Sequence, residues 1–177
     1  WTPTSVDTAW STRPNGACIA VANSDISNYP DGNIVEKGAQ AYRLRGTTTR
    51  TVKTCTPSAC TPLTDFNNTN VTSTMLGAAS TTERDALINW AKGLDVDDEN
   101  LEGTTLTETR LSVHGDVVHS RPVAINYGTA ASPQVVVFYG ANDGALRAVN
   151  GNRADNYSGY LPGAEMWSFI PPEAYTH

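Results

Sequence analysis

The second half of the chain carries the hydrophobic and polar pattern that predicts β-strands. Residues 134–139 are almost continuously apolar, which is typical of a strand covered on both faces. The segments on either side of this run also have strand-like patterns, and turn-forming glycine, asparagine and proline residues separate them. The pattern predicts four strands in meander order, at residues 117–127, 134–139, 145–150 and 164–170.

The first half contains weaker strand patterns and one helix. Strands are predicted at residues 33–45, 50–56 and 70–76, with a polar loop from Pro57 to Asn70. Ser80 and Glu83 form a capping-box pattern, so we expect a helix over residues 81–92, which Gly93 ends. Its buried face is predicted to carry Leu87, Trp90 and Ala91.

These elements predict an all-β fold that is part of a β-propeller. Residues 116–170 form about one complete four-stranded blade, residues 33–76 form part of another, and residues 80–93 are one inserted α-helix. The first 32 residues have several breakers and are predicted to be irregular. Because a closed propeller needs at least four blades, 177 residues are too few to close the ring, and we expect the remainder of the propeller in the same precursor.

Composition narrows the classes of partner. The formal net charge is −6 and the chain has no basic run, which argues against nucleic acid or an anionic membrane surface. No apolar stretch reaches the length of a membrane span.

The three cysteines predict one small disulfide. Cys55 and Cys60 are separated by four residues that include Pro57, and a bond between them suits an oxidising compartment. Two free thiols, a zinc half-site and a bond from Cys18 to either residue are the alternatives. We expect Cys18 to be free or paired outside this chain.

Two groups of polar residues are candidates for chemistry. His114, Asp116 and His119 invite a metal or acid–base interpretation, but along a strand the two histidines point to opposite faces, so a structural role is favoured. The nearby Ser112 and Ser120 do not complete a catalytic triad. The acidic stretch after the helix offers oxygen ligands at alternate positions, and the low-weight calcium candidates are Asp95, Asp97 and Glu99. The interpretation that we favour for this acidic stretch is a solvated loop without a bound ion.

Two other motifs have simpler interpretations. A hairpin turn accounts for Asn142, Asp143 and Gly144. Trp167 and Phe169 lie on one face of their strand and are predicted to belong to the core between blades.

Several of these motifs, in order, resemble a known family. Residues 139–146 (Tyr-Gly-Ala-Asn-Asp-Gly-Ala-Leu) and 163–167 (Gly-Ala-Glu-Met-Trp) resemble the blade repeat of quinoprotein-like propellers. These motifs and five other segments, in this order along the chain, look like the C-terminal domain of the PilC/PilY proteins of type IV pili. The other segments are residues 35–45, 50–55, 89–95 (Asn-Trp-Ala-Lys-Gly-Leu-Asp), 111–123 (Leu-Ser-Val-His-Gly-Asp-Val-Val-His-Ser-Arg-Pro-Val) and 167–173. The likeness spans roughly residues 33–173.

The resemblance implies a non-enzymatic, exported protein at the pilus tip, outer membrane or cell surface. Such proteins take part in pilus assembly with minor pilins, in control of retraction and in adhesion to a receptor that the sequence does not identify. No cofactor is required, and calcium is known from short Asp-rich loops in the family. A quinoprotein dehydrogenase propeller, which holds a pyrroloquinoline quinone cofactor, and an outer-membrane assembly scaffold are the alternatives. The dehydrogenases often carry a disulfide between adjacent cysteines, and Cys55 and Cys60 are not adjacent.

Overall fold

The computed structural model describes residues 34–35, 40, 43–44, 47, 49–97, 108–110 and 113–175. Its strands are β1 (Ile34–Val35), β2 (Val52–Thr56), β3 (Ala59–Asp65), β4 (His114–Gly115), β5 (Val123–Asn126), β6 (Val135–Gly140), β7 (Leu146–Asn150) and β8 (Glu165–Phe169). Its α-helices are α1 (Ser73–Leu76) and α2 (Thr81–Ala91), and a 3-10 turn covers Pro172–Ala174.

Six strands form one mixed sheet in the order β3-β2-β8-β7-β6-β5. Strands β5 to β8 are successive antiparallel neighbours, which confirms the predicted four-stranded meander. The first strand is shorter than predicted, because only Val123–Asn126 of residues 117–127 pairs with β6. Strand β2 pairs in parallel with β8 and brings the β2–β3 hairpin into the same sheet. Strands β1 and β4 form a separate antiparallel pair. The fold is therefore mostly β, as predicted, and its main sheet is open.

The loop predicted between Pro57 and Asn70 is wrong over Ala59–Asp65, because these residues form strand β3. Strand β3 lies at the edge of the sheet and is exposed at nearly every residue, so no alternation of apolar side chains marks it. Pro62 lies within the strand, and an edge position tolerates its missing N–H. The strand predicted at residues 50–56 is confirmed by β2.

Helix α2 confirms the predicted helix at residues 81–92 and its N-terminal cap. The backbone N–H of Glu83 donates to Ser80 Oγ at 3.1 Å. The Glu83 carboxylate accepts from the N–H of Ala79 at 2.7 Å, one residue earlier than a capping box requires. Gly93 has a positive φ of 94° immediately after the helix, as a C-terminal stop requires.

The predicted buried face of α2 is wrong at Leu87, which is 39% exposed. Ile88 is the buried residue of this helix and, with Ala91 beside it, faces the core. Because successive helical residues are about 100° apart, a core on the Ile88 side turns Leu87 outward. Trp90 is half-buried, and the Arg110 guanidinium carbon lies 3.8 Å from its ring centroid.

Two earlier strand predictions are also wrong. Thr72 caps a short helix, α1, within the strand predicted at residues 70–76. Ile34–Val35 is a strand, but the backbone is helical at Gln40, Arg43 and Leu44, so residues 33–45 are not one continuous strand.

The main core lies between one face of the sheet and the two helices. Its buried members come from β2, from the turns after β3 and β6, from α2 and from the end of β8: Val52, Phe66, Val71, Ile88, Ala145 and Ile170. Among the helices of the described residues, none is long and apolar enough to cross a membrane.

Candidate functional site

The turn between β6 and β7 places the Asp143 carboxylate at the centre of a hydrogen-bond cluster. Gly144 has a φ of 77° and its N–H donates to the Ala141 carbonyl at 3.1 Å, which closes the turn. The two carboxylate oxygens of Asp143 accept backbone N–H groups from Ala145 at 3.1 Å and from Gly115 at 2.9 Å. The turn is thus tied to strand β4 as well as to its own hairpin.

Arg147 completes this cluster from strand β7. Its Nη1 donates to Asp143 Oδ1 at 2.9 Å and its Nη2 donates to Asp143 Oδ2, so the pair is bidentate. Arg147 is 1% exposed and is the largest fully buried side chain among the described residues. A buried guanidinium without an anion is costly, so Asp143 is the partner that allows Arg147 to lie in the interior.

A second carboxylate extends the cluster across strand β8. Glu165 Oε2 lies 3.2 Å from Arg147 Nε. Arg50 contacts the same carboxylate with two donors, Nε at 2.9 Å and Nη2 at 3.0 Å, and Arg50 Nη1 donates to the Ala91 carbonyl of helix α2. We call Arg50, Asp143, Arg147 and Glu165 the buried ion-pair network. It contains two positive and two negative groups and links four parts of the fold.

The environment of the network shifts the pKa values of Asp143 and Arg147. Burial alone would raise the pKa of Asp143, but the hydrogen bonds and charge of Arg147 outweigh it, and the net pKa is lowered. Burial would likewise lower the pKa of Arg147, and its bonds with Asp143 reverse this, so the net pKa is raised. Both groups are therefore held in their charged forms.

His114 lies beside the network and is buried. Its Nε2 and the Tyr139 hydroxyl are 2.8 Å apart, and the two rings are 5.6 Å apart between centroids. Burial, followed by the charge of Arg147, lowers the pKa of His114 to about 4. Burial also raises the pKa of the Tyr139 hydroxyl. At neutral pH the structure thus pairs a neutral imidazole with a neutral phenol.

The other described residues of the histidine motif have separate surroundings. His119 is exposed whereas His114 is buried. The Asp116 carbonyl accepts the N–H of Asn142, and Ser120 Oγ accepts the N–H of Gly140 at 2.9 Å. Ser112 lies outside the described residues. Ser120 and the backbone of Asp116 therefore support the β6–β7 hairpin.

The calcium candidates differ in their surroundings. Asp95 is buried, and its backbone N–H donates to the Glu108 carbonyl at 2.8 Å, whereas Asp97 is exposed. Glu99 lies outside the described residues, so calcium binding by this stretch stays a prediction. Within the described residues, no group of three or more histidine, cysteine or acidic side chains is arranged to hold a metal ion.

Cys55 and Cys60 are joined across the turn of the β2–β3 hairpin. Their sulfur atoms are 2.04 Å apart and their Cα atoms 4.7 Å apart, which is the predicted pairing. Cys55 is buried and Cys60 is exposed. Cys18 lies outside the described residues, so its pairing stays a prediction.

Trp167 and Phe169 lie on the sheet face opposite the ion-pair network. The strand register places them in line with Ala148 and Leu146 of β7. The Trp167 ring lies 5.9 Å from the Phe138 ring, and all three aromatic side chains are half-buried. Their assignment to a core between blades stays a prediction.

Sequence reasoning missed the ion-pair network. The pattern of residues 140–144 was explained by turn chemistry alone, although Asp143 and Arg147 are four residues apart around a hairpin turn and can meet on one face. Arg50 and Glu165 are 115 residues apart in the sequence, so no local pattern predicts their pairing.

No family model, curated protein or solved structure matches this chain significantly.

Proposed function

We propose that this chain is part of a non-enzymatic module of a type IV pilus biogenesis and adhesion protein. The observation that carries the proposal is the ordered likeness of residues 33–173 to the C-terminal domain of the PilC/PilY proteins. In this role the chain acts at the pilus tip, the outer membrane or the cell surface. It contributes there to pilus assembly with minor pilins, to control of retraction and to attachment.

The strand order supports the architectural part of this proposal. A propeller blade is a four-stranded antiparallel meander, and β5 to β8 have that order and those directions. We propose that they form one blade whose neighbours belong to the remainder of the same precursor. The β2–β3 hairpin extends this sheet beyond β8, and the assignment of residues 33–76 to a partial blade stays a prediction.

The contacts of the polar motif residues support a structural rather than a catalytic use. Asp143 and Glu165, the carboxylates of the blade-like motifs, are both engaged by buried arginines. His114 is buried against Tyr139 with a pKa of about 4, too low for a general base near neutral pH. These groups hold strands together in the arrangement described. The Cys55–Cys60 bond is compatible with an extracellular location.

The test is a gene deletion in the bacterium that makes the protein. Surface pili are sheared and quantified in the wild type, the deletion strain and a strain complemented in trans, each with and without the retraction motor. We expect the deletion to reduce surface pili and adhesion, and complementation to restore both. Recovery of pili on loss of the motor assigns the role to retraction control, and no recovery assigns it to assembly. Unchanged pili and adhesion in the deletion strain would refute the proposal.

The purified full-length protein gives an independent control against the dehydrogenase alternative. It is scanned for quinone absorbance and assayed for dye reduction with added pyrroloquinoline quinone and calcium. The proposal expects no quinone-dependent turnover of alcohols or sugars. Such turnover would instead assign the chain to the quinoprotein dehydrogenases.

A further inference from the structure

A surface groove runs along the outer side of helix α2. Its volume is about 370 Å³, which is within the range of ligand sites in proteins. Helix positions 83, 86, 87 and 90 are separated by three or four residues along one face, and their side chains form one wall. The chain turns at Gly93, and residues 96 and 97 supply the other wall. The residues that line this α2 groove are Glu83, Ala86, Leu87, Trp90, Val96 and Asp97.

The centre of the α2 groove is apolar and partly exposed. Leu87 is 39% exposed, although leucine is among the residues most often buried in proteins. Trp90 and Val96 lie beside it and are half-buried. Helix α2 directs Ile88 and Ala91 into the main core, and Leu87 and Trp90 are not members of that core as the structure describes it. An exposed apolar stripe of this kind marks an interaction surface.

The indole ring of Trp90 is held in place from its inner side. The Arg110 guanidinium carbon lies 3.8 Å from the centroid of this ring. Arg110 and Arg50 line a small cavity beneath the helix, and Trp90 lines both that cavity and the groove. The Arg110 guanidinium therefore stacks on the face of the indole that is directed away from the groove. An occupant of the groove meets a ring whose orientation is already fixed, which lowers the entropy cost of binding.

Two carboxylates flank the apolar centre. Glu83 is exposed in the first turn of α2, and Asp97 is exposed on the opposite wall. The helix cap uses only Oε2 of Glu83. No basic residue is among the described residues that line the groove. A long cationic side chain complements this arrangement, because its aliphatic stem packs on Leu87 and Trp90 while its charged end meets the carboxylates.

We propose that the α2 groove binds a basic, partly apolar segment of another protein. The inference goes beyond the proposed function and does not rest on it. A second copy of this chain is a poor occupant, because each copy carries a net charge of −6 and the copies repel each other. Packing of another β-sheet against the main sheet does not reach the groove, because the core and α2 lie between the sheet and the groove.

Fluorescence anisotropy tests the proposal with a labelled Lys-Leu-Lys-Leu-Lys peptide and the 177-residue chain. We expect saturable binding that weakens as the salt concentration rises, because the charged contacts are at the surface. A Glu-Leu-Glu-Leu-Glu peptide should not bind, since its charges repel the two carboxylates. A Lys-Ser-Lys-Ser-Lys peptide should bind more weakly than the first peptide, because it buries less apolar surface.

Two variants with matched controls locate the binding site. Asp97→Lys reverses one charge of the groove and should raise the dissociation constant of the Lys-Leu peptide about tenfold. Asp155→Lys, the same change at an exposed position in the β7–β8 loop, should leave it nearly unchanged. Leu87→Gln should weaken binding, whereas Leu161→Gln, at another exposed leucine, should not. All four positions are exposed, so the folded chain is retained, and circular dichroism checks this.

The proposal is overturned by an absence of saturable binding or by equal binding of the acidic or the serine-containing peptide. Equal effects of each variant and its control would overturn it as well. The same titration on the purified full-length protein distinguishes the source of the segment. Binding there supports a separate partner, whereas loss of binding there would show that another part of the same protein covers the groove, which contradicts the proposal.

Discussion

Asp143 accepts a bidentate pair of hydrogen bonds from Arg147, four residues further along the β6–β7 hairpin, and the exposed fractions of the two side chains are 15% and 2%. The same carboxylate binds the N–H of Gly115 in β4. A residue typical of turns is therefore also the counter-ion of the most deeply buried charge in the sheet. One carboxylate therefore joins the β6–β7 turn both to strand β4 and to the buried Arg147.

Glu165 forms ion pairs with Arg50 and Arg147, so the loss of its charge is expected to lower the stability of the fold. Glu165→Gln keeps the size of the side chain but leaves Arg50 and Arg147 with one carboxylate, Asp143, among the four network positions. We expect the free energy of unfolding to fall by about 3 kcal/mol in urea titrations at pH 7. The matched change Asp65→Asn, in the exposed pair with Lys53, should leave stability nearly unchanged. Equal effects of the two changes would contradict the structural role of the network.

Gly115 is expected to tolerate no side chain. A Cβ atom there would lie 2.5 Å from the backbone nitrogen of Asp143, so Gly115→Ala forces the turn away from β4. We expect a loss of about 2 kcal/mol in thermal or urea unfolding. Gly140→Ala is the control, because the nearest atom to its Cβ is Ser120 Oγ at 3.8 Å, an ordinary contact. A stable Gly115→Ala protein would show that this close approach is wrong.

His114 should make stability depend on pH in a defined window. Its pKa is about 4 in the fold and near 6.5 in the unfolded chain, so the unfolded chain binds more protons between these values. The neutral His114 therefore contributes fully to the free energy of unfolding above pH 6.5, and this contribution is lost as the pH falls toward 4. Between pH 7 and pH 4.5 the expected loss is about 2 kcal/mol.

Urea titrations of two variants isolate this histidine. His114→Gln should flatten the fall in stability between pH 7 and pH 4.5, whereas His119→Gln, a change at an exposed position, should keep the wild-type profile because His114 is still present. If the free energy of unfolding of His114→Gln still fell with pH as it does in the wild type, a group other than His114 would cause the pH dependence.

The Cys55–Cys60 bond is expected to stabilise the β2–β3 hairpin modestly. It closes a loop of about six residues, for which chain entropy gives about 2 kcal/mol. Reductant should lower the unfolding free energy of the wild type by this amount and should not change that of the Cys55→Ala/Cys60→Ser variant. Non-reducing peptide mapping checks the pairing, and a peptide that links Cys18 to either cysteine would contradict it.

The sequence alone predicts those elements whose structure is determined by local patterns. The apolar run of residues 134–139, the turn glycines and the Ser80 cap each act within a few residues, and the meander and helix α2 follow from them. Strand β3 could not be found this way, because both of its faces are exposed and its pairing with β2 supplies the strand geometry.

The candidate site was predicted less well, for a physical reason. The sequence favours a structural role for His114, but its contact with Tyr139 and the pairing of Arg50 with Glu165 depend on how distant strands align. The phase of α2 was wrong by one residue because Leu87 and Ile88 are equally apolar, and only the position of the core selects between them.

A double-mutant cycle on Asp143 and Arg147 tests most directly whether the charged motif residues hold this fold together. Unfolding free energies are measured for the wild type, Asp143→Ala, Arg147→Met and the double variant. If the pair is structural, each single change leaves a buried charge without its partner, and the double variant is more stable than the sum of the single losses predicts, by about 2 kcal/mol. Losses that add to within about 0.5 kcal/mol would contradict a direct buried pair.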